Sequence, residues 1–184
     1  MPTTTERAKS SDEDLMVLVR TRDYHAFVTL FDRYRASVVS HAVRMTGNTE
    51  EAETLARDAF VEVSRRASSY KPKMPFKLWF MKIVHDFISD RLSKHDPAPG
   101  SKLDALSDAE PADGNPPPPA QVERAGPVFE AMGRLKPAYR EVACLRIFER
   151  MGYEDIATVT GEKVKTVLGR MNYAVEHLRK EIPR

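Results

Sequence analysis

Every extended apolar pattern in this chain repeats at three and four residues, and none alternates at two. That period places apolar side chains along one stripe of a helix, whereas a half-buried strand needs strict alternation. Phe27, Leu30, Phe31, Tyr34, Val38, Ala42 and Met45 predict a helix from about Asp23 to Thr46, with Gly47 as its left-handed terminator. Ala52, Leu55, Ala56, Ala59, Phe60 and Val63 predict another, opened by the capping pair Asn48 and Glu51. Glu50, Glu51 and Glu53 sit in its first turn, where they complement the helix dipole. Ser10 and Glu13 have the capping spacing ahead of a short helix that carries Leu15, Met16, Leu18 and Val19. Pro72 and Pro75 interrupt the pattern, and an aromatic helix with Phe76, Trp79, Phe80 and Phe87 then runs from about Pro75 to Lys94. The expected fold class is all-α.

Proline divides the chain. Seven of its 13 prolines fall between His95 and Pro119, among the acids Asp96, Asp104, Asp108, Glu110 and Asp113. Such a stretch cannot bury enough apolar area to fold. The expected domains are therefore 10–95 and 125–184, with 96–124 as a linker and residues 1–9 disordered. In the second domain Pro127 and Pro137 read as helix-start prolines, and Val142, Leu145, Ile147 and Phe148 mark a packed helix from about Pro137 to Glu149. Tyr153–Val159 reads as a short helix, Thr160 and Gly161 as a turn, and Glu162–Lys180 as the last helix.

Charge narrows the function classes less than usual. The chain has 29 basic and 27 acidic residues, so any nucleic-acid contact must come from local clustering. Cys144 is the only cysteine, which excludes an intrachain disulfide and suits a reducing cytoplasm. The first residues hold no apolar signal run, and no apolar stretch reaches the roughly 18 residues of a membrane span. His25, His41, His85, His95 and His177 show no metal-ligand spacing with Cys144, and no catalytic set converges. No metal, cofactor, membrane or enzymatic activity is expected.

The strongest local signal is a helix-turn-helix over 153–178. It needs a small residue where two helices cross, a glycine in the turn and an apolar residue on the second helix. Ala157, Gly161 and Val167 fill those places, with Ile156 and Val164 completing the small core. In this geometry the second helix enters the DNA major groove, and Lys163, Lys165, Thr166 and Arg170 lie near its N-terminal half. An ordinary helical hairpin with solvated lysines would share the pattern.

An ordered set of segments resembles the extracytoplasmic-function (ECF) group of bacterial sigma-70-type sigma factors. Leu135-Lys-Pro-Ala-Tyr-Arg140-Glu-Val142 is similar to the opening of that group's promoter-binding C-terminal domain, and Met151-Gly-Tyr-Glu-Asp-Ile-Ala157 to its Gly-x-Tyr-x-Glu-Ile-Ala stretch. Phe27-Val-Thr-Leu-Phe-Asp-Arg-Tyr34, Glu51-Ala-Glu-Thr-Leu-Ala-Arg-Asp-Ala-Phe60 and Phe76-Lys-Leu-Trp79-Phe-Met-Lys-Ile83 resemble successive segments of its polymerase-binding and promoter-melting domain. The resemblance covers roughly 15–94 and 127–180, in the family's order around a linker.

The resemblance implies a division of labour between a region 2-like and a region 4-like domain. Glu50, Glu51, Glu53, Thr54, Arg57, Asp58 and Val61 would face the clamp coiled coil of the polymerase β′ subunit. Tyr70, Lys71, Lys73, Phe76, Lys77, Trp79, Lys82 and Asp86 would serve the −10 element, the 68–76 loop holding a flipped base. Aromatic platforms beside cations suit that task, because a stacked base gains about 1–3 kcal/mol. Any single aromatic here, such as Trp79 or Phe80, reads more readily as core, and it is the basic residues with Tyr70 that point to DNA. Lys163, Lys165, Thr166, Arg170 and Tyr173 would meet the −35 element, and the same domain would meet the polymerase β flap.

Two departures from the family pattern stand out. Leu168 and Gly169 follow the Thr166-Val167 pair where the family carries a basic residue and Ser. Thr54 stands where the polymerase-contact helix carries Asp, and Arg57 where it carries Gln. At 100° per residue Thr54 lies opposite the apolar stripe, beside Glu50, Arg57 and Val61. Phosphorylation of Thr54 by a Ser/Thr kinase would restore negative charge, about −1.5 to −2, at that position. The first reading is thus an alternative sigma factor, switched by a kinase or held by an anti-sigma factor. The alternatives are a sigma mimic that binds an anti-sigma protein, and a stand-alone helix-turn-helix regulator.

Overall fold

The computed structural model describes residues 9–94 and 119–182, so the acidic proline-rich segment and the extreme N-terminus lie outside the described residues. Eight α-helices follow one another without a strand among the described residues: α1 Asp12–Arg20, α2 Tyr24–Thr46, α3 Thr49–Arg66, α4 Phe76–Lys94, α5 Pro119–Gly133, α6 Pro137–Ile147, α7 Tyr153–Thr160 and α8 Val164–Glu181. A single 3-10 turn, Ala67–Ser69, follows α3. They form two small helical domains, α1–α4 and α5–α8.

Local chemistry sets most of the ends. Asp23 caps α2 by accepting from the Ala26 amide, and Gly47 ends it with φ 72°, a left-handed conformation that costs glycine little. Asn48 accepts from the Glu51 amide at the start of α3. Three expected ends move. The cap of α1 is Ser11, whose hydroxyl accepts from the Asp14 amide, one residue after the expected Ser10. Pro127 lies inside α5, which opens at Pro119, so it is not a helix start. α8 begins at Val164 rather than Glu162, because the Glu162 amide is spent on the Ala157 carbonyl in the turn.

The first core is aromatic. Phe80 is fully buried, stacks on Phe76 at 5.5 Å and packs edge-on to Tyr34 at 5.2 Å. Phe60 from α3 closes the cluster at 5.1 Å from Phe80. Tyr34 also donates to Asp12, and burial with that bond pushes its phenol pKa upward. The second core joins Val142, Leu145, Ile156, Val159, Val167 and Ala174, all fully buried. Val164, expected in this core, is 37% exposed because it opens α8 at the surface. Cys144 is fully buried as expected, and desolvation pushes its thiol up to about 12.

The two domains pack on one another. α4 is covered on two sides: Phe76, Phe80 and Ile83 are buried with the first core, and Met81, Val84 and Ile88 are also buried. α4 touches α7, and α2 touches both α5 and α6. Arg44 of α2 reaches across the boundary, its guanidinium 3.9 Å from the Phe148 ring centroid and 5.3 Å from that of Phe129.

Candidate functional site

The outward face of α3 is the first candidate. Ala52, Leu55, Ala56, Ala59 and Phe60 turn inward, which leaves Glu50, Glu53, Thr54, Arg57, Asp58 and Val61 exposed. Glu51 is half-buried and accepts from Arg91 Nε of α4 at 2.7 Å, so it ties two helices together. Thr54 Oγ1 donates to the Glu50 carbonyl at 3.1 Å. Arg57 folds back over it: Nη2 donates to Thr54 Oγ1 at 3.3 Å and Nε to the Glu53 carbonyl at 3.4 Å. The guanidinium thus already lies against the hydroxyl. Beyond Val61 this face runs into a groove of about 750 Å³ between the end of α1, the start of α2 and the end of α3. Tyr24, Phe27 and Val61 give it an apolar floor, and Arg20, Arg22 and Arg65 line it. The sequence reading did not anticipate the groove, because no single helical stripe encodes it.

The second candidate is the loop before α4 and that helix's outer side. Lys71 and Lys73 are exposed. Tyr70 and Phe76, expected to serve the −10 element, are 1% and 0% exposed. Tyr70 donates its hydroxyl proton to the Met74 carbonyl at 2.8 Å and lies against Trp79 and Phe76 at 5.2 and 6.2 Å. The rings close the loop onto the core and offer no free face to a base. The Phe76 amide, at the start of α4, donates to Glu13 of α1 at 2.9 Å. Trp79 is half-buried, and Asp86 is exposed, 3.9 Å from Arg66. Lys77 and Lys82 are turned towards the second domain: Lys77 Nζ donates to the Glu149 carbonyl at 2.8 Å, and Lys82 Nζ lies 3.5 Å from the Val159 carbonyl.

The third candidate is the α7–α8 pair. Gly161 turns with φ 70°, Ala157 is 8% exposed at the crossing and Val167 is fully buried, as the helix-turn-helix pattern requires. Lys163 caps α8 and, with Lys165, is exposed at its N-terminus beside half-buried Thr166. Arg170 is tied to Glu162 at 2.7 Å. Tyr173 is half exposed and rests on Tyr139 at 4.5 Å. Leu168 and Gly169 share the exposed face. A Cβ on Gly169 would meet nothing within 4 Å. A mid-helix glycine costs about 1 kcal/mol relative to alanine, so Gly169→Ala is expected to raise the melting temperature by about 2–4 °C. An unchanged or lower melting point would contradict this.

Comparison with known proteins agrees with these elements. Residues 30–97, from α2 through α4, match the family described as sigma-70 region 2. Over that stretch the chain is similar to the sigma-70 family of transcription initiation factors, which are not enzymes. The ECF RNA polymerase sigma factor SigW of Bacillus subtilis is 27% identical over 173 residues, 89% of this chain and 92% of that one. The RNA polymerase sigma-H factor of Pseudomonas aeruginosa is 27% identical over 183 residues, 95% of each chain. Its full-length similarity is to sigma factors of the ECF group. The fold is that of CnrH in its complex with the cytosolic domain of CnrY, with a TM-score of 0.66, 21% identity, and 93% and 96% of the two chains covered. It is also that of the sigma factor RpoE bound to the anti-sigma factor NepR from Bartonella quintana, with a TM-score of 0.63, 17% identity, and 84% and 94% covered. No helix among the described residues is long and apolar enough to cross a membrane.

The sequence reading missed the groups that join the domains: Ser37, His41, Arg44, His85, Arg140, Glu141 and Glu149. Glu141 and Glu149 are each 7% exposed and His41 is 1% exposed. The signal was weak but present, since His41 and Glu141 fall on apolar stripes of their helices.

Proposed function

We propose that this chain directs RNA polymerase core to specific promoters and that phosphorylation of Thr54 activates it. The reading assigns residues 10–95 to core binding and −10 melting, 96–124 to a tether, and 125–184 to the −35 element and the β flap. The supporting observation is the α3 face, where Arg57 already contacts the Thr54 hydroxyl at 3.3 Å on exposed helix surface. A phosphate there would accept charge-assisted hydrogen bonds from Arg57 and present net negative charge outward to a basic coiled coil. Unphosphorylated, the same face offers an arginine to that partner and binds it weakly.

The experiment is a β′ pull-down and run-off transcription with purified core polymerase. Phosphorylated protein is expected to bind about tenfold more tightly than unmodified protein, about 1.4 kcal/mol. Thr54→Glu should recover part of that gain and Thr54→Ala none. Equal binding by all forms would end the phosphorylation reading, and no binding by any would end the initiation-factor reading.

A second reading, a sigma mimic that captures an anti-sigma protein, draws on the exposed Leu168 and Gly169 of α8. RpoE from Bartonella quintana was solved with the anti-sigma factor NepR, and CnrH with the cytosolic domain of CnrY. Transcripts from core polymerase would exclude it.

A further inference from the structure

Two acids of the second domain hold the first. Glu149 lies just beyond α6, and both its carboxylate oxygens accept from Ser37 Oγ of α2, at 2.9 and 3.0 Å. Lys77 Nζ of α4 lies 3.4 Å from the same carboxylate and donates to the Glu149 carbonyl at 2.8 Å. Two turns earlier on α6, Glu141 pairs with His85 Nδ1, again of α4. Lys77 and His85 are themselves two turns apart on α4, so one acid on α6 and one just past its end register with an imidazole and a cation on α4. Both carboxylates are 7% exposed, and buried acids persist only when partnered. Removing a partner is therefore expected to weaken the closure markedly.

Lys77 and Lys82 are also two of the groups assigned to −10 DNA, and both now point at the second domain. While Glu149 holds Lys77, whose side chain is 43% exposed, a DNA phosphate must compete with that carboxylate for the ammonium. We propose that Glu141 and Glu149 form an acidic latch that closes the second domain over α4, taking the place of DNA phosphates until the domains separate. The inhibitory consequence rests on reading α4 as the promoter-facing helix, but the closure itself does not. Polyanionic DNA then competes directly with the latch for the same cations, so opening and binding are coupled.

The test uses the full chain carrying spin labels at Arg35→Cys and Glu176→Cys, two exposed positions, one in each domain. Cys144 is fully buried, with its thiol raised to about 12, and stays unlabelled. The otherwise unaltered chain should give one narrow inter-label distance. Glu141→Gln with Glu149→Gln should broaden and lengthen it, with far-ultraviolet dichroism unchanged. Lys77→Glu alone should do the same, and Lys77→Glu with Glu149→Lys should restore the narrow distance, which a merely space-filling role would not. Affinity of the double glutamine variant for a single-stranded oligonucleotide should rise about tenfold, within the range usual for coupled sites. A broad distance in the unaltered chain, or a narrow one in both glutamine and lysine variants, overturns the latch. Opening without a gain in DNA affinity leaves the closure standing and overturns its inhibitory role and the assignment of α4.

Discussion

Replacing Arg140 by alanine is expected to cost about 1–3 kcal/mol of folding stability, the range for leaving buried polar groups without their partner. One guanidinium serves four backbone carbonyls. Nε donates to Met132 at 3.1 Å, and Nη2 to Gly133 at 2.7 Å and Leu135 at 2.9 Å. Nη1 crosses to the first domain and donates to Met45 at 2.9 Å. Three of the acceptors belong to the end of α5 and its turn into α6, and the fourth to the last turn of α2. Carbonyls at helix C-termini have no intrahelical donor and carry the negative end of the dipole, so a cation is suited to both ends. Alanine would leave them without a protein donor at a partly buried junction. Lysine would keep the charge but not the planar fork and should recover less than half of the loss. Urea unfolding of Arg140→Ala and Arg140→Lys measures both. A loss below about 1 kcal/mol in the alanine variant would show that water replaces the fork without penalty.

The second large effect is a dependence on acidity set by His41. This side chain is 1% exposed, and neither ring nitrogen has a hydrogen-bond partner among the described residues. Burial lowers its pKa to about 4; Glu141 opposes that shift, and Arg44 and His85 add to it. Once the site opens, the ring returns to an ordinary value of about 6.5. The folded protein therefore binds fewer protons than the opened one between those values. His41 lets stability stand in full above about pH 6.5, and stability falls as the pH drops from there towards 4. At pH 5 the two values differ by about 1.5 tenfold factors in proton binding, about 2 kcal/mol. His41→Leu should remove that share. Its stability should differ between pH 7.5 and pH 5 by about 2 kcal/mol less than that of the unaltered chain. Identical pH slopes in the two proteins would assign the effect to other groups.

Both effects lie at the junction between the domains, and that junction is where sequence reasoning reached least far. Periodicity found α2 nearly to the residue, and the start and apolar stripe of α3, because a three-and-four repeat, an N-cap oxygen and a glycine free to take positive φ are all local facts. The helix-turn-helix was legible for the same reason: Ala157, Gly161 and Val167 act within about ten residues of one another. The misplaced features were those in which a distant or competing bond intervened. Ser11 rather than Ser10 caps α1, and the Glu162 amide turned back to Ala157 instead of opening a helix. Tyr70 read as a DNA contact from its cationic neighbours, with Phe76 beside it, but the core took both rings.

The sequence by itself determined that the chain is all-α, which faces of its helices are apolar, and that the outer face of α3 carries Thr54 beside Arg57. These follow from spacing along one chain, where each residue's direction is fixed by its neighbours. Only the tertiary structure decided that Lys77 ends on Glu149, that His85 meets Glu141, that His41 is sealed without a partner, and that Arg140 spans two helix ends. Those pairings join residues far apart in sequence, and no local rule fixes which face of one domain meets the other. Their strength comes from burial, which removes water from charged and polar groups that would otherwise be indifferent to one another.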